Sequence, residues 1–61
     1  MTIHLFKGKT CIDARNPSRT KEEAVAKARN IMNLDLMLGV RSTILVVDTA
    51  SQTVLAEVKP S

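Results

Sequence analysis

The chain has 61 residues, 44% of them apolar and 25% charged, and carries a net charge of +3. That length makes one domain, spanning 1–61, near the lower limit for folding without disulfides or metals, and the composition excludes wholesale disorder. One cysteine excludes an internal disulfide, and no apolar run approaches the roughly 20 residues that span a bilayer. The start Met1-Thr2-Ile3-His4-Leu5-Phe6 lacks the basic opening and long apolar stretch of a signal peptide. The expectation is a soluble, cytoplasmic protein with no membrane contact.

Residues 2–7 and 10–15 read as two strands around Gly8-Lys9, because glycine in first place suits a two-residue type II′ turn. In that register Lys7 faces Thr10, Phe6 faces Cys11, Leu5 faces Ile12 and His4 faces Asp13. Ile3, Leu5, Ile12 and Ala14 then share a core face. A loop after a single strand is the alternative, since Thr10 to Ala14 is not strongly apolar.

Asn16-Pro17-Ser18 breaks the strand pattern. Thr20 with Glu23 has the spacing of a capping box, and Glu22 and Glu23 suit the positive end of a helix dipole. Ala24, Val25, Ala28, Ile31, Met32 and Leu36 recur at helical spacing, and Gly39 is placed to end the helix, which is expected over about residues 21–38. The alternatives are a break at Asn33, which could cap a second short helix, and a strand, since Leu34, Leu36 and Leu38 also alternate as a strand would. Asp35 falls inside the apolar stripe, which is read as a bend or a rim position in water, or else as a polar contact at an interface.

Residues 42–48 and 53–59 read as a closing pair of strands joined by the polar loop Asp48-Thr49-Ala50-Ser51-Gln52. Val54, Ala56 and Val58 alternate with Thr53, Leu55 and Glu57, which predicts one apolar face, and Pro60 ends the strand.

Few residues combine into a chemical site. His4, Cys11 and Asp13 share a face in the expected hairpin, but catalysis also needs an oxyanion site and a water-excluding pocket, and neither is legible. The same three residues fall short of a closed zinc site, and the two glycines make no phosphate loop. The expectation is therefore no enzyme, no catalytic residue, no metal and no cofactor. Lys7, Lys9, Arg15, Arg19 and Lys21 cluster in the first third of the chain, where a nucleic-acid binder would use them against phosphates. Phe6 is the only aromatic, which is thin for a stacking platform. Nucleic acid is accordingly a secondary expectation.

The stronger signal is apolar surface beyond what one helix can cover. Leu34 and Met37 lie opposite the Ala28 stripe, and Ile44-Leu45-Val46-Val47 places apolar side chains on both faces of a strand. Leu34, Met37, Leu45 and Val47 are the expected interface, for a protein partner or a homodimer.

The layout over residues 20–59 is a helix with Ala24 and Ala28 on one face, a glycine, an apolar strand, a polar loop and a strand ending in Lys59-Pro60. It resembles small phage-encoded inhibitors of bacterial CRISPR surveillance complexes. The helix start Thr20-Lys21-Glu22-Glu23-Ala24 is also similar to that of small bacterial domains of unknown function. The resemblance implies a compact, non-catalytic protein that occludes a surface on a larger assembly, and it assigns no functional residue. The fold expected from the residues is α+β in ββαββ order, a three- to four-stranded antiparallel sheet with one helix on one face.

Overall fold

A computed structural model describes residues 2–60, so the two ends of the expected 1–61 domain, and Met1 of the leader reading, lie outside the described residues. The chain runs β1 (Ile3–Lys7), β2 (Thr10–Cys11), α1 (Lys21–Met37), β3 (Ile44–Asp48) and β4 (Thr53–Val58). The strands form one sheet in the order β2-β1-β3-β4, antiparallel at every pairing. The α+β class, the ββαββ order and the four-stranded antiparallel sheet are as the sequence predicts. Because β2 and β3 both run against β1, they are parallel to each other, and α1 joins them by crossing over the strand between.

The first hairpin turns at Gly8, whose φ of +61° only glycine adopts without steric cost. Lys7 pairs with Thr10 and Phe6 with Cys11, as expected, but β2 stops there rather than at residue 15. The physical reason is Asp13. Ile12 still donates its N–H to the Leu5 carbonyl (2.9 Å), but the N–H of Leu5 is taken by Asp13 Oδ1 at 2.8 Å. A side-chain carboxylate thus replaces the next rung, and Asn16 N–H closes a turn onto the Asp13 carbonyl. Asp13 does not face His4, and Ala14 is exposed rather than in the core. The chain returns to β1 at Ser18, which exchanges both backbone bonds with Ile3 (2.8 and 3.1 Å) and is buried. Asp13 and Ser18 between them complete an edge that a two-residue strand would leave open.

The helix begins where its cap predicts. Thr20 is extended, and its hydroxyl accepts from the Glu23 N–H at 3.1 Å. The reciprocal bond goes one residue further back than expected, from the Arg19 N–H to Glu23 Oε2. The helix is continuous through Asn33 to Met37, so neither the break at Asn33 nor the strand reading of Leu34 to Leu38 holds. At its end Gly39 N–H bonds the Leu36 carbonyl and Val40 N–H the Asp35 carbonyl, with Gly39 at φ +77°. This is a Schellman closure, and it needs a residue at ease in the left-handed region.

Ile3 and Leu5 of β1, Ile44 and Val46 of β3, and Ala24, Ala28 and Met32 of α1 make the buried core. Ala24 and Ala28 let the helix approach the sheet closely. At the end of the core Asp35 forms an ion pair with Lys7, the last residue of β1. That pair resolves the carboxylate in the apolar stripe: it sits at the rim with a partner on the sheet. In the closing hairpin Asp48 Oδ1 accepts from Ala50 N–H, and Gln52 takes the left-handed φ of +57°. A register shift then follows between Val46 and Val47, where β4 bulges.

Two substitutions test the hairpin edge and the cap. Asp13→Ala leaves the Leu5 N–H without its acceptor and should cost about 1–3 kcal/mol in urea unfolding, while Asp13→Asn, which keeps an acceptor oxygen, should cost clearly less. Thr20→Ala should cost about 0.5–2 kcal/mol with an unchanged m-value.

Candidate docking surface

Residues paired directly across an antiparallel sheet lie on the same face. Leu5, Val46 and Ala56 share the helix side. On the opposite side His4 pairs with Val47, and Phe6 lies between Cys11 and Leu45. The bulge adds Val54, which pairs with Val47 and so leaves the face of Ala56 and Val58. This corrects the single apolar face expected of Val54, Ala56 and Val58, and Val54 is accordingly 53% exposed. The result is a largely apolar sheet face that no helix covers, with exposed Glu57 beside Leu45 at its β4 edge.

Its edges are held by polar contacts. Thr49 donates its backbone N–H and its hydroxyl to the Thr2 carbonyl (3.1 and 3.2 Å). With that proton committed, His4 Nδ1–H donates to Thr49 Oγ1 at 3.1 Å. The histidine therefore anchors the β3–β4 loop. Cys11 Sγ lies 3.7 Å from Asp13 Oδ1, the same oxygen that holds Leu5. The expected grouping of His4, Cys11 and Asp13 is thus divided between two separate structural contacts. No cluster of three His, Cys, Asp or Glu side chains suited to a metal occurs among the described residues.

The four expected interface residues fall on two surfaces. Leu45 and Val47 lie on the uncovered sheet face, half-buried by their neighbours. Leu34 and Met37 are on the outer side of α1, 61% and 82% exposed, next to exposed Leu38 and Val40. The sheet and the helix stand between the two patches. Phe6 is a residue that the apolar count does not single out, although its alternation with Leu5 places it beside Leu45. Val54 is hidden from the sequence by the bulge.

The basic residues are also divided. Lys7 is engaged by Asp35, and Lys9 sits at the hairpin tip. Arg19 and Lys21 flank the helix start, beside the Ser18–Ile3 bridge at the other end of β1, and Arg15 lies in the exposed turn before it. A five-residue strand separates the two ends by about 13–17 Å. No helix among the described residues is long and apolar enough to cross a membrane.

Comparison with protein-family models, with curated proteins and with solved structures finds no match to this chain.

The two sides of β3 should respond differently to truncation. Ile44→Ala empties a fully buried site and should cost about 2–5 kcal/mol. Leu45→Thr, on the uncovered face, should stay within about 1 kcal/mol of wild type in the same unfolding series.

Proposed function

We propose that this protein is a non-catalytic protein-binding module that docks through the uncovered face of its sheet. The observation that carries this reading is the row Phe6, Leu45 and Val47, extended by Val54, apolar and without a cover among the described residues. Antiparallel sheets ordinarily turn polar side chains to water on such a face, and contiguous apolar surface on a small domain marks an interaction site. The resemblance to phage-type inhibitors adds the narrower proposal that the target is a surface of a larger bacterial complex, which docking would occlude. A cytoplasmic site of action accords with the free thiol of Cys11. Nucleic-acid binding through Lys7, Lys9, Arg15, Arg19 and Lys21 is the weaker reading, because the five charges do not converge on one surface and Lys7 already has a partner.

The test is a pair of variants on the two sides of the molecule. Phe6→Glu with Val47→Glu should keep the wild-type circular dichroism and lose capture of the partner from host lysate. Leu34→Glu with Met37→Glu should keep both. Loss of capture only in the second pair moves the docking surface to the helix. Capture that survives both pairs but falls steeply between low and moderate salt returns the function to phosphate binding.

A further inference from the structure

The backbone polarity of the sheet can be followed strand by strand from the first hairpin. A two-residue turn closes on a pair that exchanges both hydrogen bonds, so Lys7, Leu5 and Ile3 direct their backbone groups towards β2, as the contacts of Leu5 and Ile3 bear out. Phe6 and His4 then bond β3, where Leu45 and Val47 answer them, leaving Ile44 and Val46 to bond β4. Val58 and Ala56 are their partners. Glu57, and by the same alternation Lys59, therefore turn their N–H and C=O groups to the free edge of β4. Pro60 falls on the inward set, so its missing N–H does not interrupt that edge.

The edge is also overhung. A groove of about 430 Å³ runs between α1 and β4, with Arg29 and Asn33 among Val25, Met32 and Leu36 on its helix side and Val58 and Pro60 on its floor. Glu57 and Lys59 pair with each other at 3.5 Å, and both are at least half exposed.

We propose that β4 pairs with β4 of a second copy of this chain, antiparallel and centred on Val58, to make a continuous eight-stranded sheet. In this register Glu57 of each copy faces Lys59 of the other, and both residues offer outward backbone groups, so each side of the two-fold gains a hydrogen-bonded pair of opposite charge. Centring on Glu57 would oppose like charges, and centring on Ala56 would set Glu57 against Leu55 and run into the bulge. Val58 and Pro60 of the second copy then fill the groove that the helix leaves open. The bulge limits pairing to the last turn of the ladder, and the charges fix its register, which keeps this edge from pairing at random. The two-fold stands perpendicular to the sheet, so both helices lie on one side and both uncovered faces on the other. Glu57 and Lys59 stand on the uncovered side, at its β4 edge, with Glu57 beside Leu45 and two strands away from Phe6.

Sedimentation velocity over about 10 µM to 1 mM, the range in which a contact this short associates, provides the test. Wild type should shift from monomer to dimer across that range. Glu57→Lys should raise the dimer dissociation constant at least about tenfold, and Glu57→Lys combined with Lys59→Glu should restore it. Glu57→Pro, which removes the outward N–H together with the carboxylate and no bond to β3, should give a folded monomer. A wild type that stays monomeric at the highest concentration overturns the proposal. So does a dimer that Glu57→Lys leaves unchanged, or one that the Phe6→Glu, Val47→Glu pair dissolves, since that dimer would use the sheet face.

Discussion

One helix of 17 residues has to cover a sheet of four strands, and most of what is unusual about this protein follows from that shortage. A helix buries one stripe and a sheet has two faces, so a chain this short closes one layer contact and leaves the rest to other devices. Ala24 and Ala28 bring α1 close over β1 and β3, which concentrates burial on Ile3, Leu5, Ile44 and Val46. The rim of the same contact is closed by the Lys7–Asp35 pair. Partly screened pairs of this kind contribute about 1 kcal/mol or less, so its larger effect is to fix where the helix end sits relative to the hairpin.

The shortage of strand is met in a different way. β2 has only two residues, yet β1 has its outward groups satisfied along its length, by Thr10, Ile12, the carboxylate of Asp13 and the backbone of Ser18. A loop has taken over the work of a strand. Buried backbone groups must find partners from any available source, and here a side chain and an isolated bridge supply them. Ser18 is small and almost fully buried at that bridge, so the segment Asn16 to Ser18 is structural, though its composition reads as a simple break.

Residues with local rules were legible from the sequence. Thr20 and Gly39 bound the helix because capping depends on nearby atoms alone, and Gly8 sets the hairpin register for the same reason. The extent of β2 was not legible, because Asp13 competes with its own backbone for the Leu5 N–H, and alternation carries no sign of that competition. The bulge in β4 was hidden likewise: Val54 to Val58 alternates well, and only pairing with β3 shows that Val54 has changed sides. Alternation alone puts Leu45 and Val47 together, facing away from buried Ile44 and Val46. Grouping them with Leu34 and Met37 was a different matter, since sequence counts apolar surface but does not say which layer presents it.

The strand order has a consequence for how the chain comes together. β1 is the strand on which the sheet is built, and its second neighbour is β3, separated from it by the whole of α1. Until residues 44–48 dock, the inner edge of β1 is unpaired and Ile3 and Leu5 have only the helix to pack against. Distant pairings of this kind slow folding, because the intervening loop must be ordered before the contact returns any free energy. Thr49, reaching back to the Thr2 carbonyl, ties the two halves of the polypeptide together. A chain in which residues 44–48 have not yet docked leaves the inner edge of β1 open, a row of unpaired backbone groups to which a wrong strand can add and which the finished fold no longer presents.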